Sequence, residues 1–595
     1  MILLVVSEVC QFAVTLIVFN FVARTLTFST LKFFGAYDPR WDLKWPRFPW
    51  RWVWLNVWIR FGEWIEENFK SGKATGGLTG SVTQIALTFE PNQSLIGQAR
   101  LPLGIRHYSL VGEKSERHKV FVASARSGKS LQLQTELALM PDDARALVID
   151  PKGDHTRDIL FKAEENGHEL CVLDPLRITE RRNKICLLMQ IQLVNKRLGE
   201  DRTTMMCDRI ASLFFPHNPQ AKNPYFDDTG REGWARMMCF VLHKYPTGTL
   251  LDVRRLFARG YNEDAPDDPE LAFGMLWEEM LDCNIYDGYV SSFAADLLSM
   301  DERTRANVLS TIRSKTAFLD HQQVKDVSCG NDVNLCDLKN PDSNLIISIP
   351  VTVGDMKTTL RPWVSAIVSL SLAIMEWIPG DLKTKTRFVI EEAQAIGQTA
   401  LPGMGDKAAL MAGMGVSLIV VTQDCAGFKK SFPQDWLSII GNAQHVIFMA
   451  CNDHETYEYV SDKSLGMKTV KRKKWHIPFL WTVSSFEKPV MTPDQVRRFL
   501  EAKKGSAIVM RNGKRSMFVK IAKSYQVLPV WLINPSKDHG ETRARAWFRS
   551  VWEDWTSRRN EQGKLVATST PRLLPSDESK LDALHLSTRP SSSKH

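Results

Sequence analysis

Short apolar runs, most of them closed by a polar or turn residue, recur along much of this chain. Runs of this kind are typical of parallel strands that are buried on both faces. Between about 190 and 325 the apolar positions follow helical spacing instead, as in residues 231–243. The pattern therefore predicts an α/β fold with an all-α insertion. The predicted strands lie at 119–122, 146–149, 168–173, 344–349, 386–390 and 415–421.

The first of these strands leads into Phe121-Val-Ala-Ser-Ala-Arg-Ser-Gly-Lys-Ser130, a loop of small residues that opens a helix. A phosphate-binding loop requires this order of strand, loop and helix. Backbone N–H groups would cradle the phosphates, Lys129 would reach the β- and γ-phosphates, and the Ser130 hydroxyl would bind Mg²⁺. We therefore predict that ATP and Mg²⁺ bind here. The predicted contacts are Ala123, Ser124, Ala125, Arg126, Ser127, Gly128, Lys129, Ser130 and Leu131.

The start of this loop departs from the usual motif, which begins with glycine where this chain has Ala123. Alanine adopts positive φ less readily than glycine, so we expect an altered loop start. The alternative is a turn of small residues that arose by chance. The Gly128-Lys129-Ser130 sequence at the start of the helix argues against that alternative.

A second chemical site follows the strand at 386–390, which ends in two adjacent acids, Glu391 and Glu392. In this arrangement the first acid contacts the Mg²⁺ shell, and the second orients and activates the attacking water. Aspartate is usual at the first position, and Glu391 is one methylene longer. The run at 415–421 ends in Thr422 and Gln423, which we expect to sense the γ-phosphate or the water. Simple strand capping is the alternative for those two residues.

Charged residues also close the strand at 146–149, where Asp150, Lys152 and Asp154 follow. Ligands of doubly wound sheets bind at the carboxyl ends of the strands. We therefore include Asp150 among the predicted nucleotide contacts.

Length, charge and cysteine content restrict the class of protein. A chain of 595 residues predicts roughly three or four domains. The net charge of +9 is compatible with a polyanionic partner but does not require one. Ten cysteines are scattered without a Cys-x-x-Cys pair, which indicates reduced, buried thiols rather than disulfides or a metal site. We expect the bulk of the chain to be cytoplasmic.

The N-terminal region is predicted to anchor the protein in a membrane. Residues 1–23 carry one charge, Glu8, and are long enough to span a bilayer. Basic residues follow, which places the downstream side in the cytoplasm. A buried core helix is the alternative for this segment. The Trp-rich segment at about 50–65 suggests an interfacial helix or a poor second span, or else an amphipathic helix packed on the soluble domain. Residues 71–94 are predicted to be a linker.

Two features of the C-terminal part bear on partners and order. The densest basic run includes Lys471, Arg472, Lys473 and Lys474, which would contact nucleic-acid phosphates or form a solvated loop. Residues 505–520 predict two strands around a tight turn. From 531 to 595 we expect a charged, disordered tail, within which 541–559 are able to form a helix.

The order of these motifs resembles the type IV secretion coupling proteins, the TraG/TraD family of conjugation ATPases. They belong to a wider group of RecA-like motors that includes the FtsK and HerA translocases. The resemblance covers roughly residues 95–525 and is most specific at two motifs. These are Val148-Ile-Asp-Pro-Lys-Gly-Asp154 and Phe388-Val-Ile-Glu-Glu-Ala-Gln-Ala-Ile-Gly397.

The resemblance implies a RecA-like P-loop nucleotide-binding domain with an all-α insertion, preceded by an N-terminal transmembrane helix. The nucleotide-binding domain would comprise 95–190 and 331–530, the all-α domain 191–330, and the anchor 1–70. The family also implies a homo-hexamer at the bacterial inner membrane, which links a relaxase–single-stranded DNA complex, or effector proteins, to secretion-channel subunits. Family members usually have two spans, whereas only one is convincing here.

Carried over to this sequence, the family's nucleotide-binding residues are Lys129 and Ser130, and its catalytic acid is Glu392. Such hexamers usually supply an arginine to the neighbouring subunit's site, for which Arg361 and Arg313 are both candidates. Two other functions stay open. One is another FtsK/HerA-type DNA translocase. The other is a nucleotide-binding substrate receptor that does not hydrolyse ATP, which Ala123 and Glu391 would favour.

Overall fold

The computed structural model describes residues 74–75, 93–100, 108–113, 118–216, 224–261, 264, 268–400, 404–477, 480–535 and 541–561. The predicted span 1–23 and the Trp-rich segment 50–65 lie outside these residues. No helix within the described part of the chain combines the length and the apolar character needed to cross a bilayer.

The strands, in chain order, are β1 (Ala74–Thr75), β2 (Ser94–Arg100), β3 (Tyr108–Glu113), β4 (His118–Val122), β5 (Ala146–Ile149), β6 (Glu169–Val172), β7 (Leu345–Ile349), β8 (Thr386–Ile390), β9 (Val416–Thr422), β10 (Ala443–Phe448), β11 (Met467–Ile477), β12 (Leu480–Pro489), β13 (Ser506–Arg511) and β14 (Lys514–Lys520).

The α-helices are α1 (Lys129–Ala138), α2 (Phe161–Glu165), α3 (Leu187–Leu198), α4 (Thr203–Phe214), α5 (Tyr225–Lys244), α6 (Leu250–Arg259), α7 (Pro269–Asp282), α8 (Tyr289–Ser299), α9 (Glu302–Lys315), α10 (Gln322–Ser328), α11 (Val353–Lys357), α12 (Arg361–Trp377), α13 (Ala393–Ala400), α14 (Met404–Met411), α15 (Cys425–Ser431), α16 (Trp436–Asn442), α17 (His454–Tyr459), α18 (Pro493–Phe499), α19 (Ser524–Val527) and α20 (Arg543–Glu561). Short π-helical turns occupy Thr156–Leu160 and Val460–Leu465, and 3-10 turns occupy Ala317–Asp320, Leu335–Lys339 and Ala502–Lys504.

Most of the described strands form one large sheet with the order β3-β2-β14-β13-β10-β4-β9-β8-β5-β7-β6. The seven strands from β10 to β6 run parallel to one another. The remaining four extend the sheet in antiparallel fashion. Because β9 lies between β4 and β8, the carboxyl ends of these three strands are neighbours at one edge of the sheet. The mixed α/β fold with a large parallel sheet is therefore as predicted.

The parallel strands are buried on both faces, which is why their sequences are mostly apolar, and the buried Lys119 of β4 is paired with Glu136 at 2.7 Å. In β4 every residue is buried, and alternate side chains enter different cores. Val120 and Val122 belong to one apolar cluster, whereas Phe121 belongs to the cluster on the opposite face. This double burial fixes the position of the loop that follows β4.

Helices α3 to α10 form an insertion that runs from Leu187 to Ser328, close to the predicted range of 191–330. Its apolar side chains join the cluster that contains Val120, so the insertion packs on one face of the sheet. Trp234 stacks on Phe257 with ring centroids 5.7 Å apart. Gly233 is required beside it, since a Cβ there would lie 2.3 Å from the ring of Phe293.

The structure corrects the predicted tail at residues 531–535, which are ordered, whereas the helix expected at 541–559 is present as α20, Arg543–Glu561. Residues Val530 to Ile533 are buried, and Trp531 packs on Trp552 of α20 with centroids 5.0 Å apart. Arg545 and Arg549 of the same helix donate to the carbonyls of Leu528 and Val530. Tryptophan burial thus outweighs the high charge that suggested disorder. Residues 562–595 lie outside the described part of the chain.

Two further predictions are corrected in the small sheet β1-β11-β12. Residues 471–474 belong to strand β11 and not to a loop, since β11 pairs along its length with β12. Ala74 and Thr75, which the predicted linker 71–94 includes, form β1 and pair with Val470 and Thr469. Residues 74–75 form a strand in spite of their linker-like composition, because they pair with the backbone of the long hairpin of β11 and β12.

Candidate nucleotide-binding site

The start of the loop after β4 is held by backbone hydrogen bonds to the carboxyl ends of the neighbouring strands β9 and β10. The Ala123 N–H donates to the Thr422 carbonyl over 2.9 Å, and the Ser124 N–H donates to the Ala450 carbonyl over 2.8 Å. Positive φ occurs later in the loop, at Arg126 (61°) and Gly128 (93°), and not at Ala123. The expected disturbance from alanine at position 123 is therefore not seen, because the backbone there does not need glycine.

The start of helix α1 offers donors to an anion. Gly128 is the residue before the helix, and no side chain caps its first turn. The first N–H groups of a helix have no intrahelical acceptor and attract phosphate. The Ser127 hydroxyl is buried and has no hydrogen-bond partner among the described residues. These donors, with Lys129 at the first helical position, fit the phosphates of a nucleotide.

The two acids that follow β8 pair with the two functional residues of this loop. The Ser130 hydroxyl donates to Glu391 Oε1 over 2.7 Å. Lys129 Nζ donates to Glu392 Oε2 over 3.1 Å, and Gln423 Nε2 donates to Glu392 Oε1 over 2.6 Å. Residues from β4, β8 and β9 are thus brought together at one sheet edge. A hydroxyl and a carboxylate in contact at this place fit the ligand set that Mg²⁺ prefers.

A buried group of Asp150, His155 and Glu391 lies beside this pair, with one potential ligand atom from each residue within 4.8 Å of the others. His155 Nε2 lies 2.9 Å from Glu391 Oε2. Asp150 Oδ2 accepts from the backbone N–H and the hydroxyl of Thr156, each at 2.8 Å. Its Oδ1 is buried and has no hydrogen-bond partner among the described residues.

Within this group, His155 and Glu391 favour each other's charged form. Burial alone would raise the pKa of Glu391, but His155, Ser130 and Lys129 outweigh it and lower that pKa to about 2. Burial alone would lower the pKa of His155, but Glu391 and Asp150 raise it to about 9. Burial raises the pKa of the third member, Asp150, and the charge of Glu391 raises it further.

The other predicted residues lie at varying distances from this chemistry. Ala125 and Arg126 are exposed in the loop, and Leu131 lies in the first turn of α1. Arg361 begins helix α12 and makes no ion pair with any described residue. Arg313 donates to the Phe257 carbonyl over 2.9 Å within the helical insertion, so it is already engaged. The side chains of residues 471–474 lie outside what the structure describes.

Sequence reasoning missed two residues of the site. His155 follows the Asp-Pro-Lys-Gly-Asp sequence directly, and its position at the end of β5, beside β8, was the available signal. Gln394 Nε2 donates to the Thr422 hydroxyl over 2.9 Å and so links the ends of β8 and β9. Its place two residues after Glu392 gave no hint of that partner.

Lys129 and Ser130 lie at the start of helix α1, two acids follow β8, and β9 separates β4 from β8. This arrangement is typical of a RecA-like P-loop fold. Residues 85–569 match the family model described as type IV secretory system conjugative DNA transfer. The chain therefore belongs to that family, as the resemblance predicted. No curated protein matches the chain in sequence.

Solved structures show the same fold. The bacterial conjugative coupling protein TrwBdeltaN70, in its unbound monoclinic form, is 16% identical, with 69% of this chain and 86% of that chain covered and a TM-score of 0.52. The plasmid coupling protein TrwB in complex with the non-hydrolysable ATP analogue ADPNP is 17% identical, with 68% and 85% covered and a TM-score of 0.51.

Proposed function

We propose that this protein is an ATPase that couples DNA or protein substrates to a type IV secretion channel. Its membership of the conjugative DNA transfer family supports the process. The observation that carries the ATPase activity is the pairing of Lys129 with Glu392 and of Ser130 with Glu391 at one sheet edge. The TrwB structure with ADPNP supports nucleotide binding in a protein of the same fold.

Some residues of the site would bind the nucleotide and magnesium, and Glu392 would accept the proton of the attacking water. Lys129 and the loop N–H groups would hold the phosphates, and Ser130 and Glu391 would hold the magnesium ion. Bound magnesium neutralises charge on the phosphate oxygens. Both oxygens of Glu392 are engaged in the structure, one by Lys129 and one by Gln423. When phosphate attracts Lys129, one oxygen becomes free to accept a proton from water, while Gln423 keeps the carboxylate oriented.

The larger assembly is proposed from the family and from the charge of the chain. We infer a homo-hexamer at the inner membrane, with residues 1–70 as the anchor and Arg361 as the arginine supplied in trans. Arg361 is available for that role because it has no ion-pair partner among the described residues. The cargo would be a relaxase–single-stranded DNA complex or an effector protein. The net charge of +9 is compatible with DNA.

A non-hydrolysing receptor is the second candidate, and the structure weakens the two observations that favoured it. Ala123 occupies a backbone conformation that alanine tolerates. Glu391 reaches Ser130 in spite of its extra methylene. ATP turnover by the purified protein separates this candidate from the ATPase. Dependence of transfer on a relaxase separates conjugation from other DNA translocation.

The first prediction tests the ATPase with Lys129→Ala in the full-length protein. ATP hydrolysis should fall about 100- to 1000-fold, because one charge that stabilises the transferring phosphoryl group is lost. Substrate transfer should stop, while the amount of protein in the membrane fraction should stay the same. Lys430→Ala, on the exposed end of α15, is the control and should leave both activities unchanged. Normal transfer by Lys129→Ala would contradict the proposal.

A further inference from the structure

The carboxylate of Glu391 is held from two sides. One oxygen accepts the Ser130 hydroxyl at 2.7 Å, and the other lies 2.9 Å from His155 Nε2. His155 is fully buried, and Glu391 is 8% exposed. The carboxylate therefore has little freedom to rotate. Its orientation is set by a residue from the end of β5, on the side away from the phosphate-binding loop.

The length of Glu391 is what allows both contacts. An aspartate at this place would be shorter by one methylene, which is about 1.5 Å. With the strand end fixed by the buried β8, the shorter carboxylate would not reach Ser130 and His155 together. Glutamate at position 391, in place of the usual aspartate, is therefore what allows the contact with His155.

His155 is itself held in place by the structure around it. It precedes the π-helical turn Thr156–Leu160, whose first residue is fixed by Asp150 through two hydrogen bonds of 2.8 Å. The Thr156 hydroxyl also contacts the Ser348 hydroxyl on β7 at 2.7 Å. The backbone next to His155 is thus fixed by residues of β7 and of the end of β5, and the ring is fully buried. Outer partners of this kind commonly orient metal ligands in proteins.

We propose that His155 is a positioning residue that holds Glu391 in the orientation required for magnesium binding. This inference rests on the proposed function, since the magnesium ion arrives with the nucleotide. His155, which directly follows the Asp-Pro-Lys-Gly-Asp sequence, would thus affect magnesium binding through Glu391 and without contacting the nucleotide. It also explains why glutamate replaces aspartate at position 391.

The test measures how magnesium affects nucleotide affinity. The probe is a fluorescent, non-hydrolysable ATP analogue, titrated onto the full-length protein over a range of Mg²⁺ concentrations and in EDTA. In His155→Ala the Mg²⁺ concentration for half-maximal tightening should rise about 10- to 100-fold. Affinity in EDTA should not change. His155→Gln keeps a donor near the place of Nε2, so it should restore most of the wild-type response.

The control is His445→Ala, which removes another buried histidine that is paired with a glutamate, Glu113, at 3.1 Å. It lies in β10, where it is adjacent to the amino end of β4 rather than to the phosphate-binding loop. Its magnesium response should match the wild type. An unchanged response in His155→Ala, an equal loss of affinity with and without Mg²⁺, or failure of His155→Gln to restore the response would each overturn the proposal.

A second pair of variants decides the matter if His155→Ala does not fold. Glu391→Asp alone should also raise the required Mg²⁺ concentration, because the shorter side chain loses one contact. His155→Leu, which removes the donor but keeps an apolar side chain in the buried site, should by itself raise the required Mg²⁺ concentration. Adding it to Glu391→Asp should then cause no further change, since the two residues act as one unit. Independent, additive effects would overturn the inference. Failure of the wild-type protein to bind the analogue at all would instead contradict the ATPase proposal.

Discussion

Glu392 combines a strained backbone with a fully engaged side chain. Its φ is 62°, which is unusual for a residue other than glycine, and it lies between β8 and α13. Strain of this kind costs about 1–3 kcal/mol and persists where the surroundings enforce it. Here Lys129 and Gln423 hold both carboxylate oxygens. The turn aims Glu392 at the phosphate-binding loop, while Glu391 is aimed at Ser130.

This arrangement predicts different defects for the two acids. Glu392→Gln should bind ATP normally but hydrolyse it about 100- to 10,000-fold more slowly, because an amide cannot accept the proton of the water. Glu391→Gln should mainly weaken the response to Mg²⁺. Single-turnover hydrolysis and equilibrium binding, measured on the same preparations, distinguish the two defects. Slower hydrolysis in Glu391→Gln with intact magnesium binding would mean that the two roles are exchanged.

At the residue scale, the sequence predicted those residues of the site that belong to short contiguous motifs. Gly128, Lys129 and Ser130 are consecutive, and Glu391 and Glu392 close an apolar run. Their proximity is visible in the structure, while their catalytic roles stay predictions. His155 was missed because no motif marks it as a partner of Glu391, which is 236 positions away in the chain. Only the pairing of β5 with β8 brings them together.

At the scale of elements, one carboxylate adds side-chain links between strands at the antiparallel end of the sheet. Glu113, at the end of β3, accepts from His445 of β10 at 3.1 Å and also from Lys514 of β14. Burial alone would raise the pKa of Glu113, but these two hydrogen bonds outweigh it and lower the pKa to about 2. The ionised carboxylate thus links three strands of the edge.

We expect Glu113→Gln to destabilise the protein by about 2 kcal/mol at pH 7, as for hydrogen bonds to a charged group. The native pKa lies below the unfolded value, so this stabilisation is complete above about pH 4.3. It is lost as the pH falls toward 2. Denaturant midpoints of wild type and variant should therefore converge between pH 5 and about pH 2. A difference that is independent of pH would contradict this account.

Glu501→Gln is the control for that comparison. Glu501 is exposed and pairs with Lys504 over 3.2 Å, and exposed pairs contribute about 0–1 kcal/mol. Its midpoint should stay close to that of the wild type at neutral pH. A loss equal to that of Glu113→Gln would show that removal of any carboxylate has this effect.

The sequence predicted elements well where burial alone sets the pattern. Strands β4, β5 and β8 read as apolar runs because both of their faces are covered. Strands β2 and β3 mix polar and apolar residues, and they form because β14 offers an edge for pairing. The ordered segment around Trp531 could not be predicted either. It depends on contacts with α20, which composition does not encode.

At the scale of the whole molecule, the small sheet β1-β11-β12 does not pair with the main sheet in the described part of the chain. The hairpin of β11 and β12 pairs from Met467 with Pro489 to Ile477 with Leu480. Within it, residues 471–474 are opposite residues 482–485. A paired hairpin holds its backbone more firmly than a loop would. The pairing therefore fixes the backbone of residues 471–474 relative to that of residues 482–485.

We predict that this hairpin binds single-stranded nucleic acid through phosphates and without strong sequence preference. A motor that moves along its track must grip every step, and phosphate contacts carry affinity without reading bases. In the wild-type protein the logarithm of affinity should fall with the logarithm of salt concentration, by about 0.7 per phosphate contact. Changing Lys471, Arg472, Lys473 and Lys474 to glutamate should weaken binding and flatten that slope.

The control for the hairpin variant carries the same change of charge on exposed lysines elsewhere, at Lys357, Lys429, Lys430 and Lys503. It separates a local contact from the effect of net charge, because both variants lower the charge by the same amount. Fluorescence anisotropy of labelled oligonucleotides of differing sequence, over a range of salt, measures both affinity and slope. If the hairpin variant and the control behave alike, the basic strand is a solvated surface. If the wild-type protein binds no oligonucleotide at any salt, the cargo is a protein rather than DNA.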